Sequence, residues 1–342
     1  MPIPFIVGAI AAASAVIGVG AGVKGAVKMK EANDTMKSAK DRNDRNIKRY
    51  ETQSKTTTEK MDSLGKDELE IIKSFQEFAE TYEKIKNKPN FAQINIGETK
   101  IPTYSPEDLK KASVGASVLL GGLGGAAVGT AGGFAAAGAT TAAVMALGTA
   151  STGTAIASLS GVAATNATLA AIGGGSIAAG GGGMALGTTL LGGATLGVGL
   201  LAAGIIFNFT GSKLEDKANE IESQVDKAEA QINKICTYLI TLDLTAGAYL
   251  FTLRRVNYVY KDRMKKLNDT VTIQGKTDWN NFTDTEKKNT ESVVRLVSLL
   301  YKMCKLQIVE KASSDDEVNS VKTEDARKQM NQAESLLSEL GD

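Results

Sequence analysis

The residue types that most often carry enzyme chemistry are scarce in this chain. It has no histidine among its 342 residues, which removes the commonest general acid–base group, the commonest metal ligand and every histidine-based catalytic triad. Its two cysteines, Cys236 and Cys304, are far apart in sequence and stand in helical patterns. They predict buried free thiols in a reducing compartment rather than a zinc site or a disulfide framework. The sequence therefore predicts no enzymatic activity, no metal and no cofactor.

Two glycine-rich motifs match nucleotide-binding signatures only in part. Gly20-x-Gly22-x-x-Gly25 has the spacing of a dinucleotide-binding loop, but no βαβ alternation follows it. The glycines of 173–183 are not followed by the lysine that holds a β- or γ-phosphate. We therefore expect that neither motif binds a nucleotide.

The most informative feature is a run of about 100 residues without a charged side chain, Ala112 to Ser212, which Lys111 and Lys213 bracket. We call it the charge-free segment. It holds 26 of the 36 glycines of the chain. Because the surface of a soluble domain needs charged side chains, the segment is predicted to lie in lipid, or inside protein until it is released. About 20 residues cross a bilayer, so we expect two to four helices, with Leu186 to Phe209 as the best single span.

Small residues recur every four positions within this segment, as they do where helices pack closely in membranes. A glycine costs about 1 kcal/mol relative to alanine in a helix interior, so the repetition indicates a packing role. One interpretation is a set of helix–helix seams in a membrane, and the other is a soluble hairpin enclosed by amphipathic helices. The two predicted ladders are Gly121, Gly125, Gly129 and Gly133, and Gly175, Ala179, Gly183 and Gly187.

Amphipathic helices are predicted on the N-terminal side of the charge-free segment. Residues 25–53 are polar and helix-prone, and apolar residues at spacings of three and four favour a second helix at 59–88. A break is predicted between them at 54–58, where three threonines follow one another. Residues 89–105 are predicted to form a linker. Ser105-Pro106 then restarts a helix, with serine as its cap and proline at its first position.

A heptad pattern follows the charge-free segment. Apolar residues alternate steps of four and three over four heptads, which is typical of a coiled-coil seam, and apolar positions continue to Leu267 without a proline. We expect one helix of about 55 residues, about 80 Å long, packed on the helices at 25–53 and 59–88. A protein partner at the same seam stays open as an alternative. The predicted seam consists of Leu214, Ala218, Ile221, Val225, Ala228, Ile232, Ile235, Leu239 and Leu242.

Helix signals also occur in the C-terminal part of the chain. Thr283-x-x-Glu286 is a capping box that predicts the start of an apolar helix reaching Val309. A further helix is predicted from about Thr323 to Leu340. Core packing is the expected role of four aromatic residues of the long helix, Tyr249, Phe251, Tyr258 and Tyr260.

Together these patterns predict an all-α protein in which long amphipathic and coiled-coil helices flank a glycine- and alanine-rich apolar helical module. No strand pattern longer than a few residues occurs. The apolar N-terminus suits a signal anchor, an interfacial helix or a buried core helix. The predicted regions are an apolar N-terminal helix at 1–23, amphipathic helices at 24–88, a linker at 89–105, a membrane module at 106–212, a long coiled-coil helix at 213–270 and a C-terminal helical region at 271–342.

Several of these runs resemble a family of bacterial glycine-zipper proteins, some of which carry the label of chemotaxis proteins. The resemblance covers most of the chain and implies a bacterial protein without implying a particular activity. The plan is also similar, in architecture alone, to that of helical pore-forming toxins, in which long amphipathic helices enclose an apolar segment. The matching runs are the glycine-rich N-terminus ending at Gly22-Val23-Lys24-Gly25, the run 150–170, Gly173-Gly174-Gly175-Ser176, the run 178–187, and the helix start between Asp278-Trp279 and Glu286-Lys287-Lys288.

We therefore expect a bacterial membrane-active protein whose residues 112–212 insert conditionally or form a pore, shielded until then by the flanking helices. The expected partners are a lipid membrane and further copies of the chain, and a net charge of +1 gives no indication of nucleic-acid binding. The alternative is a constitutive membrane-anchored scaffold whose coiled coil recruits a protein partner. Both predict a membrane-associated protein, and the first also allows a cytoplasmic state before insertion.

Overall fold

A computed structural model describes residues 23–91, 93–96, 99–123, 214–306, 308–310 and 318–341, and most of them are helical. Within these ranges, two pairs of short antiparallel strands are the only sheets. The prediction of an all-α protein is confirmed. The helices are α1 (Val23–Glu83), α2 (Pro106–Leu123), α3 (Leu214–Asn268), α4 (Asp284–Cys304) and α5 (Thr323–Leu340), and the strands are β1 (Gln93–Ile96), β2 (Thr99–Pro102), β3 (Val309–Glu310) and β4 (Ser320–Val321).

The described residues fall into two compact units, and α1 and α3 contribute to both. The first unit contains residues 23–56, 214–240 and 318–319. The second contains the described residues of 57–123, 241–310 and 320–341. Each unit has buried apolar residues of its own, so each is described separately.

In the first unit, α1 and α3 run parallel to each other. The Arg42 guanidinium lies 2.6 Å from the Asp226 carboxylate, and one heptad further along both helices the Arg49 guanidinium donates to the Asn233 side chain. A small apolar core between the helices contains Ala39, Ile221 and Val225, with Met36 packed against it. The small Ala39 side chain lets the two helices approach closely.

The predicted break at 54–58 is wrong, because α1 is one helix of 61 residues. Two threonine hydroxyl groups in and next to this stretch donate hydrogen bonds to backbone carbonyls one turn earlier in the helix. Thr52 Oγ1 donates to the Lys48 carbonyl at 2.8 Å, and Thr56 Oγ1 to the Thr52 carbonyl at 3.1 Å. Thr57 is fully buried. Packing of this stretch therefore outweighs the few tenths of a kcal/mol per residue by which threonine disfavours a helix.

The second unit is built around an aromatic core. Phe75 of α1 is fully buried, and its ring makes edge contacts with Tyr260 of α3 and Tyr301 of α4, each with ring centroids 6.0 Å apart. Tyr301 in turn contacts Tyr104, which follows β2, at 4.3 Å. The chain thus brings three helices and the hairpin region around one buried ring.

Again α1 and α3 run parallel in the second unit. Arg254 pairs with Asp67 at 2.5 Å, and further along both helices the Tyr260 hydroxyl donates to the Ser74 carbonyl at 3.4 Å. Two parallel neighbouring helices need a long connection, because the chain must return from the end of the first helix to the start of the second. Residues 84–213 make that connection, and they include the charge-free segment.

The predicted helix starts agree with the structure, but the helix predicted to reach Val309 ends at Cys304, and Val309 lies in β3. The Asp108 N–H donates to Ser105 Oγ at 3.1 Å, and α2 begins at Pro106. The capping box at Thr283 and Glu286 forms in both directions at the start of α4. The long helix predicted after Lys213 is α3, with 55 residues, and the last predicted helix is α5. These features follow from local sequence, which is why the sequence predicts them.

A hairpin lies in the region that was predicted to be a linker. Strands β1 and β2 pair in an antiparallel register from Gln93–Pro102 to Ile96–Thr99. Ile96 and Ile101 are buried, and β2 leads through Tyr104 into the capped start of α2. The hairpin therefore positions the start of α2 within the second unit.

Candidate functional site

Three large apolar side chains are exposed along one line of α3. Leu244 is 67% exposed, Phe251 64% and Tyr258 78%. Successive members are seven residues apart, which is close to two helical turns, so they lie on the same side of the helix. We call this group the α3 stripe. Contiguous exposed apolar side chains of this size mark interaction surfaces more often than isolated ones do.

The prediction that all four aromatic residues of α3 pack in the core is wrong for two of them. Tyr249 and Tyr260 are buried, whereas Phe251 and Tyr258 are exposed. Residues two positions apart point about 200° away from each other on an α-helix, so neither pair can share one face. The core of the second unit covers the side of α3 that carries Tyr249 and Tyr260, and leaves the stripe in solvent.

One helical stretch among the described residues, Ala218–Ile273, is long and apolar enough to cross a membrane. A core helix of a soluble protein meets the same criteria, and 56% of the most apolar window is buried inside the fold. Its charged residues pair with α1 through Asp226 and Arg254. In this fold α3 therefore packs along α1 as a scaffold helix, and its most exposed large apolar side chains are those of the stripe, with Ile240 less exposed at 46%.

The predicted coiled-coil seam lies mainly against the chain itself. In the first unit Ile221 and Val225 pack with Ala39 of α1, and Ile232 is half-buried. The burial of Leu214 lies outside the described residues. The surface open to a partner helix is therefore the stripe rather than the seam. The buried seam residues are Ala218, Ile221, Val225, Ala228, Ile235, Leu239 and Leu242.

Helix α2 lies in the second unit and contains the first residues of the charge-free segment, from Ala112 to Leu123. The Lys110 ammonium lies 2.5 Å from the Glu83 carboxylate, and the Ser113 hydroxyl donates to the Lys73 carbonyl at 2.7 Å. These contacts hold the first two turns of α2 on α1. Of the predicted ladders, Gly121 lies in α2, and the described residues do not include Gly125, Gly129, Gly133, Gly175, Ala179, Gly183 or Gly187.

A buried carboxyl group lies in the core of the second unit, and the sequence analysis missed it. Glu68 is fully buried, and neither of its carboxyl oxygens has a hydrogen-bond partner among the described residues. Burial raises the pKa of this carboxyl well above its usual range, and the neighbouring Asp67 raises it further. Burial therefore favours the neutral, protonated form of the Glu68 carboxyl. Its position between Leu64 and Ile71, on the apolar face of α1, is the sequence signal that identifies it.

Two further polar groups adjoin Glu68 in this core. Tyr249 hydroxyl lies 2.9 Å from the Met303 carbonyl and 2.7 Å from the side-chain oxygen of Gln329. The Cys304 thiol is 3.9 Å from the backbone carbonyl of Glu68, and burial raises the pKa of that thiol well above its usual value. A buried thiol that stays protonated is a poor nucleophile.

Both cysteines are free and buried, as predicted. Among the described residues, no three Asp, Glu or Cys side chains are grouped so that they could hold a metal ion. Comparisons of the chain with protein families, curated proteins and solved structures find no match. The function is therefore argued from the residues themselves, and the resemblance to the glycine-zipper family stays a prediction.

Proposed function

We propose that the chain is a bacterial membrane-active protein in which a folded helical scaffold delivers the charge-free segment into a lipid bilayer. The observation that carries the proposal is the absence of any charged side chain from Ala112 to Ser212, within a chain that elsewhere carries its charges on amphipathic helices. Such a segment has no surface suited to water, whereas a bilayer accepts it without charge burial.

The scaffold is suited to stay folded while the segment inserts. Its second unit has a core that draws on α1, α3 and α4, centred on Phe75, and among the described residues of the segment Ala112, Ser113 and Ala116 of α2 are also buried there. Insertion of the residues that follow α2 therefore leaves the contacts of α2 and the core around Phe75 in place. Lys111 and Lys213 bracket the segment, and lysine side chains at the ends of a membrane segment place their ammonium groups at the lipid headgroups.

Inside the bilayer, the small-residue ladders would bring helices of the segment together. Lipid offers no hydrophobic gain for helix association, so close backbone packing and interhelical hydrogen bonds drive it. The ladders beginning at Gly121 and Gly175 supply the close packing. The serine and threonine residues of 149–168 supply hydroxyls that either bond between helices or line a polar pathway.

The first test is dye release from anionic liposomes by the purified full-length protein, with co-flotation measured on the same sample. We expect Gly125→Leu and Gly183→Leu to lower leakage about tenfold, because a leucine at a close helix contact forfeits about 1–2 kcal/mol of packing. Gly161→Leu, in the same segment but outside both ladders, is the matched control. Equal leakage by all four proteins would contradict the role of the ladders, and a wild-type protein that neither floats nor releases dye would contradict the proposal.

The second candidate function is a membrane-anchored scaffold that binds a partner helix, and the α3 stripe favours it. The exposed side chains of the stripe are seven residues apart and could pack against a second helix, as apolar residues do in a coiled coil. They are Leu244, Phe251 and Tyr258. A further copy of this chain would offer the same line. This candidate predicts stable flotation without leakage.

We expect the triple variant Leu244→Gln, Phe251→Gln and Tyr258→Gln to lose any oligomer while keeping its fold, because exposed substitutions change the free energy of unfolding by about 0.5 kcal/mol or less each. Sedimentation velocity of wild type and variant measures the oligomer. Ile273→Gln, which alters an equally exposed residue (76%) beyond the end of α3, is the control. An oligomer that survives in the triple variant would exclude the stripe as its interface.

A further inference from the structure

A cavity of about 380 Å³ lies in the second unit between the end of α4 and the start of α5. Three lysines line it, Lys302 and Lys305 from α4 and its C-terminal cap, and Lys322 at the start of α5. Asp325 supplies one carboxylate, and the Tyr104 ring forms a wall. The formal charge of the lining is therefore positive. We call this cavity the lysine pocket.

Two of the three ammonium groups lack a carboxylate partner. Within the described residues neither Lys302 nor Lys305 lies within 4 Å of an acidic side chain. The Lys302 ammonium donates to the side-chain oxygen of Gln332 at 2.8 Å. The Lys305 ammonium lies over the rings of Tyr104 and Tyr301, at 5.2 and 5.4 Å from their centroids. Neutral partners orient these charges but do not neutralise them.

Both lysines are also partly removed from water. Each is half-buried, and burial lowers the pKa of Lys302 and of Lys305, with repulsion from Lys328 adding to the effect at Lys302. A cation that loses solvation without gaining a counter-charge is unfavourable. An anion in the pocket would supply that counter-charge to both groups at once.

Helix α5 adds a third contribution to the same cavity. Lys322 is its N-cap residue, and no side chain caps the helix there. The Lys322 ammonium lies 3.8 Å from Glu310, so that carboxylate balances part of its charge. The N-terminal end of a helix carries a partial positive charge, and at α5 the carboxylates of Glu324 and Asp325 in the first turn offset part of it.

The floor of the pocket is fixed by the core. The side-chain oxygen of Gln329, which lines the pocket, lies 2.7 Å from the Tyr249 hydroxyl. This contact orients the Gln329 amide, whose nitrogen is a hydrogen-bond donor. A buried hydroxyl group therefore holds one polar side chain of the pocket lining in place.

We propose that the lysine pocket binds a phosphate monoester, either a small soluble molecule or the headgroup of an anionic lipid. Lysine ammonium groups act as point charges for phosphate oxygens, and three of them in one cavity match a dianion better than a single carboxylate. The cavity has room for an organic group beside the phosphate, and the Tyr104 ring provides an apolar wall for it. This inference does not depend on the membrane insertion proposed above.

The test uses the full-length protein and calorimetric titration with glycerol 3-phosphate and with inorganic phosphate, at low and at physiological salt. The double variant Lys302→Gln and Lys305→Gln removes the two unpaired charges. We expect it to weaken binding at least about tenfold, in the range typical for loss of charged hydrogen bonds. Lys261→Gln with Lys265→Gln, which alters two exposed lysines of α3, changes the net charge equally and should weaken binding less than about twofold. Lys322→Gln serves as a second pocket variant if the double variant does not keep its helical circular dichroism.

Flotation with phosphatidylcholine vesicles, with and without phosphatidic acid, separates the two sources of the phosphate group. Binding to glycerol 3-phosphate indicates a soluble ligand, and binding only to phosphatidic acid vesicles indicates a lipid headgroup. Either result supports the proposal provided that the pocket variants abolish it. No binding to any probe, or an equal loss in pocket and control variants, would overturn it. Vesicle binding that persists in the pocket variants would overturn the lipid headgroup as the ligand of the pocket, while leaving the insertion of the charge-free segment intact.

Discussion

Replacing Phe75 by alanine is expected to lower the free energy of unfolding of the second unit by about 3–5 kcal/mol. The Phe75 side chain is completely buried, so the substitution removes its transfer free energy and leaves a cavity. It also removes edge contacts with Tyr260 and Tyr301, each worth about 0.5–1.5 kcal/mol beyond the buried area. Because these rings belong to α1, α3 and α4, the cavity would loosen three helices together.

Urea unfolding followed by tryptophan fluorescence measures this effect. Trp279 is the only tryptophan of the chain, and its ring contacts Phe91 and Phe282 of the second unit, so its emission reports on that unit. Phe251→Ala is the matched control, since Phe251 is 64% exposed and its loss should change stability by about 0.5 kcal/mol or less. Equal destabilisation by both variants would contradict the packing described for α1 and α3.

Local signals account for the parts of the fold that the sequence predicts. The heptad pattern after Lys213 gives α3, and the capping box at Thr283 gives the start of α4. Both depend on residues within a turn or two of each other. The threonines at 54–58 disfavour a helix by local propensity, so the sequence wrongly predicts a break there. The helix continues because Thr57 is buried by tertiary packing, which local propensity does not include.

Tertiary packing decides which faces are covered, and for this reason the candidate sites were harder to predict. The seven-residue spacing shows that Phe251 and Tyr258 lie on the same face of the helix. It does not show that this face is exposed to solvent. Likewise, nothing in the spacing of Lys302, Lys305 and Lys322 indicates that the chain between them folds back so that they line one cavity. The charge-free segment is the opposite case, since its composition alone carries the proposal for it.

The free energy of unfolding is expected to change with pH because of the buried Glu68 carboxyl. In the unfolded chain a glutamate titrates near a pKa of about 4.3, whereas burial raises the pKa of Glu68 in the folded chain. The folded chain therefore keeps a proton that the unfolded chain releases. Below the pKa of Glu68 in the unfolded chain, the free energy of unfolding does not change with pH on account of this group. Between that pKa and the higher pKa in the folded chain, the free energy of unfolding falls by up to about 1.4 kcal/mol per pH unit.

We therefore expect Glu68→Gln to stabilise the second unit at neutral and mildly alkaline pH and to have its smallest stabilising effect near pH 4, because glutamine cannot ionise. Urea midpoints of the two proteins from about pH 4 to pH 9 measure the difference, in which the titration of all other groups cancels. Glu70→Gln, two residues away on the exposed side of α1 and paired only loosely with Lys66 at 3.9 Å, is the control and should give a difference that hardly varies with pH. If the Glu68→Gln difference were also flat, the Glu68 carboxyl would be ionised in the folded core. The core around Tyr249 and Cys304 would then have to contain a counter-charge that its described residues lack.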